Sequence, residues 1–372
     1  MVRPAKLLLA LMMALLLAVR PAMAIPQLLI DMQSGEVLYE QQAGQPWHPA
    51  SLTKLMTAYL AFEAVARGRL SLSSPVTMSR NALKAPPSKM GFPVDTALTL
   101  EDALYILIVK SANDVATAIA ETVGGTEENF VAEMNRAASR LGLTGTHFSN
   151  ANGLHDPDQY TTARDMALLA LTIRAQYPQY DDMFATRVLR FGKSRLESQN
   201  DLLTGYAGAT GMKTGYVCSS GLNIVATADR RGRSLMAVVF GGSSGRERGE
   251  MAASLLDRGF SGQLRGTGRL ITNLGNTGGQ PTDMRPYLCG SEAADYVAER
   301  KRDFPFGLEG QPSYLDDDIA PREVRVSILG RLRDIPLPRK RPYYAAPIQI
   351  LPAVVTVEAG GGVPLPRPRP NR

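Results

Sequence analysis

The chain has 372 residues, of which 44% are hydrophobic and 20% are charged, and its formal net charge is +6. This is enough apolar material for a substantial core, in one large or two smaller domains. The basic excess lies outside the predicted folded body, because residues 25–260 carry 22 Lys and Arg against 23 Asp and Glu, whereas residues 261–372 carry 16 against 12. Nucleic-acid binding is therefore a poor explanation of the charge.

The N-terminus has the pattern of a secretory signal peptide over residues 1–24. Arg3 and Lys6 precede the apolar run LLLALMMALLLAV, and Ala22-Met23-Ala24 forms an A-x-A cleavage site. The run has 13 residues, whereas a membrane span needs about 20. An uncleaved anchor helix is the alternative, but the pattern favours export to the periplasm or cell envelope.

Residues 25–262 predict one domain with strands at both ends and helices between them. PQLLIDMQSGEVLYE indicates two strands joined by a Ser-Gly turn, and GLNIVATADRRGRSLMAVVFGG indicates two more joined by an Arg-Gly turn. Helical periodicity follows residue 49 and recurs in three later runs, with Thr126 and Asn129, and Thr162 and Asp165, at capping positions. GEMAASLLDRGF predicts the closing helix. The order favours an α+β fold in which a helical cluster flanks an antiparallel sheet.

Residues 263–372 differ in composition, since 14 of the 25 prolines lie beyond residue 260. We expect a Pro- and Arg-rich, partly disordered extension. The runs EVRVSILG and PIQILPAVVTV are strand-like and could still pack. Residues 319–372 carry ten Lys and Arg against three Asp and Glu, which predicts a weak attraction to anionic lipid or wall polymer.

Ser51 and Lys54 form the first candidate reactive pair. They lie in PASLTKLMTAYLAF, at the start of an apolar helical run, and residues three apart share one helix face. A serine hydroxyl needs an adjacent base to become a nucleophile, and a lysine serves if burial and nearby positive charge favour its neutral form. An isolated S-x-x-K pair is common by chance, so the pair alone is only a hypothesis.

Two further motifs follow in a fixed order. KSANDVA (residues 110–116) contains S-x-N, and GMKTGYV (residues 211–217) contains K-T-G before a strand. The order S-x-x-K, S-x-N, K-T-G matches penicillin-binding proteins and serine β-lactamases. Over residues 25–262 the chain resembles the low-molecular-mass penicillin-binding proteins, which are serine D-alanyl-D-alanine carboxypeptidases of peptidase family S11. The resemblance implies the β-lactamase/transpeptidase-like fold, with no metal or other cofactor.

The resemblance also implies catalytic roles. Ser51 corresponds to the acylated nucleophile, Lys54 to the base that takes its proton, and Ser111 to a proton relay toward the leaving amine. The backbone N–H groups of Ser51 and Tyr216 correspond to the oxyanion hole. The implied reaction removes the terminal D-alanine of a peptidoglycan stem pentapeptide, and penicillin acylates the same serine.

Five further residues correspond to substrate-binding positions. Asn113 would hold the peptide amide of the substrate. Lys213, Thr214 and Arg248 would bind its terminal carboxylate by charge-assisted hydrogen bonds, although a solvated cation at a helix start is the alternative for Arg248. Gly215 would let the peptide lie against the strand as an added β-strand.

Other functions fit the sequence less well. A class A β-lactamase has S-D-N and a separate glutamate motif for deacylation, but here Ala112 is the middle residue and no such motif is found. GGSSG (residues 241–245) resembles a nucleophile elbow, yet no histidine follows His155 to complete that triad, so Ser243 is interpreted as a turn residue. His48 and Trp47 are interpreted as packing residues. A D,D-endopeptidase and a non-catalytic wall-binding protein stay as alternatives.

Cys218 and Cys289 are the two cysteines. Export would permit a disulfide between them, closing a loop of about 70 residues. Two separate thiols are the alternative, because a side chain that points into the core cannot reach a surface segment. A bond requires the two Cα atoms to come within about 7 Å.

Overall fold

The computed structural model describes residues 24–331. The predicted signal peptide and the run PIQILPAVVTV lie outside these residues, apart from Ala24. Secondary structure alternates between strands and helices along the described chain. The strands are β1 Gln27–Asp31, β2 Val37–Gln41, β3 Pro75–Thr77, β4 Thr96–Thr99, β5 Val188–Phe191, β6 Ser194–Glu197, β7 Ala209–Val217, β8 Gly221–Arg230, β9 Arg233–Gly242, β10 Glu323–Arg325 and β11 Gly330–Arg331.

The helices begin with the one that follows Ser51. They are α1 Lys54–Ala66, α2 Arg80–Lys84, α3 Leu100–Val109, α4 Asn113–Gly124, α5 Glu127–Arg140, α6 Ala163–Gln176, α7 Asp181–Phe184, α8 Leu202–Gly205, α9 Gly245–Phe260, α10 Arg285–Leu288 and α11 Ala293–Asp303. Short 3₁₀ turns cover Ala50–Thr53, Pro178–Tyr180 and Ile271–Asn273.

A five-stranded antiparallel sheet has the order β2-β1-β9-β8-β7. Strands β8 and β9 are its most buried members and pair from Leu222 with Gly242 to Arg230 with Arg233. The Arg-Gly turn predicted between them is present, and Arg231 and Gly232 both have positive φ, as a tight hairpin turn requires. Strand β7 is the outer strand, so its free edge is available to other groups.

Helix α1 is the centre of the helical cluster. Its buried positions include Lys54, Thr57 and Glu63 as well as apolar residues, which is typical of a helix surrounded by protein on all sides. It packs against α3, α4, α5 and α6. The polar residues on this helix therefore need internal partners, and Lys54 is the one that faces the sheet.

Two helix starts agree with the capping residues predicted from the sequence. Thr126 Oγ1 accepts a hydrogen bond from the Asn129 N–H at 3.2 Å, and Thr162 Oγ1 accepts one from Asp165 at 3.1 Å. Each bond satisfies one of the unpaired donors of a first helical turn. With helices and an antiparallel sheet in contact, the predicted α+β class is confirmed.

Packed structure continues past the boundary predicted at residue 262. The buried carboxylate of Glu247 on α9 pairs with Arg300 on α11 at 2.6 Å, and that of Glu250 accepts hydrogen bonds from Ser313 Oγ and the Tyr314 N–H. Strand β10 lies in EVRVSILG and pairs with β5. The composition of this segment concealed its order, because its buried apolar residues, such as Met284 and Tyr296, are scattered between polar anchors rather than arranged on one periodic face.

A disulfide joins Cys218 to Cys289, with the Cα atoms 5.8 Å apart. The predicted bridge is therefore confirmed, and the alternative of two separate thiols is wrong for this structure. Cys218 directly follows β7, and Cys289 directly follows α10. The bond ties the segment beyond residue 262 to the end of the outer strand of the sheet.

Within residues 24–331, no helix combines the length and apolarity that a membrane crossing would need.

Replacing Arg300 by Met should destabilise the fold by about 3 kcal/mol, because it leaves the Glu247 carboxylate buried without its counter-charge. Arg136→Met is the matched control: its ion pair with Glu133 is solvent-exposed, so the loss should stay below about 1 kcal/mol. Chemical denaturation of both variants measures the difference. Equal losses of unfolding free energy in Arg300→Met and Arg136→Met would show that Arg300 does not anchor the segment.

Candidate active site

A cleft of about 290 Å³ lies between the free edge of β7 and the helical cluster. It brings together residues from all three sequence motifs. Its lining consists of Ser51, Pro87, Ser88, Val109, Lys110, Ser111, Asn113, Gly153, Leu154, Glu197, Gln199, Thr214, Gly215, Tyr216 and Val217. Three predicted site residues, Lys54, Lys213 and Arg248, are buried beneath this lining.

Ser51 lies in the 3₁₀ turn that leads into α1. The preceding residue, Ala50, has a φ of +48°, a strained value for a residue with a side chain. The turn places Ser51 on the same face as Lys54, and their Oγ and Nζ atoms are 3.0 Å apart. The i, i+3 proximity predicted from the sequence is present.

Lys54 is fully buried, and its Nζ has two other partners. It donates to Asn113 Oδ1 at 2.8 Å and to the Asn152 carbonyl at 2.5 Å. Burial lowers the pKa of Lys54 well below its ordinary value, and the Lys213 charge lowers it further, while Asp114 opposes them. A neutral amine has two hydrogens, and both amide oxygens can only accept. The lone pair is then left for the Ser51 hydroxyl.

Ser111 and Lys213 form a second pair across the cleft. Lys213 Nζ donates to Ser111 Oγ and to the Thr214 carbonyl, each at 2.9 Å. Ser111 has a φ of +59° and lies in the short break between α3 and α4, which turns its hydroxyl toward β7. Burial lowers the pKa of Lys213 to about 7, and the charge of Arg248 adds to this effect. Lys213 thus holds the Ser111 hydroxyl on the β7 side of the cleft.

Asn113 begins α4 and has both ends of its amide engaged. Oδ1 accepts from Lys54, and Nδ2 donates to the Pro86 carbonyl at 3.0 Å. One hydrogen of Nδ2 and one lone pair of Oδ1 are left over. Asn113 thus orients Lys54 and keeps the capacity to contact a peptide in the cleft.

Gly215 makes the close approach of β7 to Ser51 possible. A Cβ at this position would lie 2.9 Å from the Ser51 nitrogen and 3.1 Å from the Pro49 carbonyl oxygen. Any side chain would therefore push the strand away from the nucleophile. The next residue, Tyr216, is 47% exposed at the rim of the cleft.

For Arg248 the sequence left a solvated cation at a helix start as the alternative, and the structure excludes that alternative. Arg248 is 2% exposed and donates to the Gln199 carbonyl, while its Nε and Nη1 have no hydrogen-bond partner. Burial lowers its pKa to about 10. A buried guanidinium with unpaired donors is costly unless an anion approaches it. Arg248 lies behind Gln199, which itself lines the cleft.

Sequence reasoning missed the residues that close the cleft from below. Asn152 supplies a carbonyl to Lys54, and a Cβ on Gly153 would overlap the Ala50 carbonyl, so this turn supports the nucleophile directly. Their signal was the Asn-Gly pair in the run SNANGL, which marks a tight turn. Gln199 carried no such signal.

The residues interpreted as bystanders have structural partners. Ser243 Oγ donates to Glu247 at 2.6 Å and belongs to the turn before α9. His48 packs edge-on against His155, and Trp47 Nε1 donates to the Ser220 carbonyl. In the part of the chain that the structure describes, no cluster of three His, Cys, Asp or Glu could hold a metal ion.

The chain is similar to known proteins along most of the described region. The profile of peptidase family S11, described as D-alanyl-D-alanine carboxypeptidase, matches residues 19–244. A curated relative, D-alanyl-D-alanine carboxypeptidase DacF of Bacillus subtilis, is 34% identical over 239 residues, which are 63% of this chain and 61% of the relative. The chain therefore spans less than two thirds of that relative.

Solved structures give the same fold. Penicillin binding protein 5 of Haemophilus influenzae superimposes with a TM-score of 0.61 at 32% identity, covering 65% of this chain and 72% of its own. Penicillin-Binding Protein D2 of Listeria monocytogenes, solved in an ampicillin-bound form, gives a TM-score of 0.56 at 29% identity. The match covers 64% of this chain and 97% of that protein. The fold is thus the penicillin-binding-protein fold predicted from the motifs.

Titration of the lysine ammonium groups by NMR should separate Lys54 and Lys213 from the surface lysines, both titrating at lower pH because they are buried. In Lys213→Met the pKa of Lys54 should rise, since one of the charges that lowers it is removed. Lys193→Met, at an exposed hairpin, should leave it unchanged. A Lys54 pKa that is equal in both variants would contradict the coupling.

Proposed function

Because this chain belongs to the D-alanyl-D-alanine carboxypeptidase family S11, we propose that it is an exported serine carboxypeptidase that removes the terminal D-alanine from peptidoglycan stem pentapeptides. The observation that carries the proposal is the 3.0 Å distance between Ser51 Oγ and the Nζ of buried Lys54, whose other two partners are amide oxygens. This arrangement suits a serine nucleophile activated by an amine.

In the first step, Ser51 Oγ attacks the carbonyl of the penultimate D-alanine while its proton passes to Lys54 Nζ. The oxyanion is held by the backbone N–H groups of Ser51 and Tyr216. Collapse of the tetrahedral intermediate breaks the peptide bond. The proton moves from Lys54 through Ser111 to the amine of the leaving D-alanine. In the second step, a water molecule loses a proton to Lys54, hydrolyses the Ser51 ester and restores the hydroxyl.

Recognition of the terminal carboxylate depends on the cationic side of the cleft. Lys213, Thr214 and Arg248 are close together there, and the unpaired donors of Arg248 offer an anion charge-assisted hydrogen bonds. The free edge of β7 allows the peptide to add as a strand. A β-lactam presents a similar carboxylate next to a reactive carbonyl and would acylate Ser51; the ampicillin-bound Listeria relative supports this part of the proposal.

The cleft favours a carboxypeptidase over a β-lactamase. Rapid deacylation in class A β-lactamases depends on a glutamate that activates water. Glu197 is the acidic residue in the lining of this cleft, and it is ion-paired with Arg195 and, at 3.6 Å, with Arg187. Its carboxylate is therefore engaged elsewhere, and slow release of penicillin is expected.

Incubation of the mature protein with a pentapeptide ending in D-Ala-D-Ala should release one D-alanine, measured by mass spectrometry, and fluorescent penicillin should label Ser51. Ser51→Ala should abolish both, because no other hydroxyl occupies that position. Thr57→Ser, a conservative change on the next turn of α1, is the control and should keep both activities. Persistent labelling of Ser51→Ala would exclude the nucleophile.

The pH dependence of kcat/KM should be bell-shaped. Activity should rise as Lys54 loses its proton, well below the ordinary lysine pKa, and fall above about pH 7 as Lys213 loses the charge that binds the carboxylate. Lys213→Arg should remove the alkaline limb, because a guanidinium stays charged. Lys54→Arg should be inactive for the same reason. If kcat/KM of Lys213→Arg falls at high pH as it does in the wild type, the alkaline limb belongs to another group.

A further inference from the structure

The turn between β7 and β8, residues 218–220, is attached to the segment beyond residue 262 by two bonds. One is the Cys218–Cys289 disulfide. The other is a hydrogen bond from the Met284 N–H to the Ser219 carbonyl at 3.0 Å. Met284 is fully buried, so this contact belongs to the packed core rather than to a loose surface loop.

Tyr216 is in contact with the same disulfide. Its hydroxyl lies 3.3 Å from Cys289 Sγ and 3.7 Å from Cys218 Sγ. The residue is otherwise half exposed, and its strand has a partner on one side only, β8. The disulfide and its segment therefore support this end of β7 in addition to β8.

The same turn also contacts the loop beneath the nucleophile. Ser219 Oγ is 2.8 Å from His155 Nδ1, and His155 follows the Gly153 turn that packs on Ala50. Ser51 and Tyr216 carry the two proposed oxyanion donors. The loop beneath Ser51 and the turn that follows Tyr216 are thus in contact with each other at Ser219. Displacement of the turn would change the distance between the donors.

We propose that Cys289 is a positioning residue for the reaction: through its disulfide to Cys218 it fixes the end of β7 and thereby the Tyr216 N–H opposite Ser51. The inference rests on the proposed function of that N–H. Cys289 lies beyond residues 19–244, which match the family profile, so this support is built by a part of the chain outside the match.

The geometry of an oxyanion hole is sensitive to such support. Donors must lie within about 2.7–3.1 Å of the developing charge, and loss of one donor costs about 10²–10³ in rate. A displacement of about 1 Å can itself cost about 100-fold. A donor that is loosened rather than removed is expected to lower the rate of acylation of Ser51 about tenfold.

The experiment measures acylation of Ser51 by fluorescent penicillin at 20 °C in four samples. These are the oxidised wild type, the wild type reduced with dithiothreitol, the double variant Cys218→Ala/Cys289→Ala, and Ser313→Ala. The last is the matched control, since it removes a hydrogen bond of the same segment to Glu250 but leaves the turn intact. Circular dichroism reports folding, and hydrogen exchange reports the mobility of residues 215–220.

The reduced wild type and the double variant should stay folded, acylate about tenfold more slowly and exchange faster at residues 215–220. Ser313→Ala should keep the wild-type rate even if its melting temperature falls. Unchanged acylation without the disulfide, an equal loss in Ser313→Ala, or global unfolding on reduction would each overturn the positioning role and leave the proposed function standing. Absence of labelling in the oxidised wild type would overturn both.

Discussion

The site depends on one buried amine. Lys54 has no contact with solvent, and the polar groups around it come from parts of the chain that are distant in sequence: Asn113 at the start of α4 and the Asn152 carbonyl in a loop. Two acceptors fix the orientation of the amine, and burial lowers its pKa well below the ordinary lysine value. The 3₁₀ turn, the start of α4 and the loop before Gly153 each place one oxygen atom next to this nitrogen.

The positive groups nearby are buried as well. Burial lowers the pKa of Lys213, and the Arg248 charge lowers it further. Burial also lowers the pKa of Arg248, where Asp201 opposes the effect and Arg187 adds to it. Such a cluster is unfavourable without an anion, and its cost is recovered when a carboxylate enters. In the proposed function, affinity for the terminal carboxylate and the cost of this buried cationic cluster are therefore two aspects of the same arrangement.

The sequence was most informative where function depends on local geometry. Ser51 and Lys54 are neighbours because of helical spacing, and Thr126 and Thr162 cap their helices through contacts three residues away. Apart from the disulfide and the three motifs, contacts across long separations left no pattern in the sequence. No local pattern connects Asn152 with Lys54, and the Arg300 pair with Glu247 lies in a segment whose proline content suggested little order. Arg248 was predicted to bind the substrate carboxylate, with a solvated cation at a helix start as the alternative. Its burial depends on how Gln199 covers it, which no local pattern indicates.

The late position of the segment that supports α9 and β7 has a consequence for biosynthesis. A chain emerging from its N-terminus exposes all three reactive motifs well before Cys289, Arg300 and Ser313 appear. Until then Glu247 and Glu250 lack their partners on that segment, and the β7–β8 turn has no covalent anchor. Strands β10 and β11 pair with β5 and β4 only after that. In the proposed function, the reactive serine therefore gains its full support only after residues 289–313 have been synthesised.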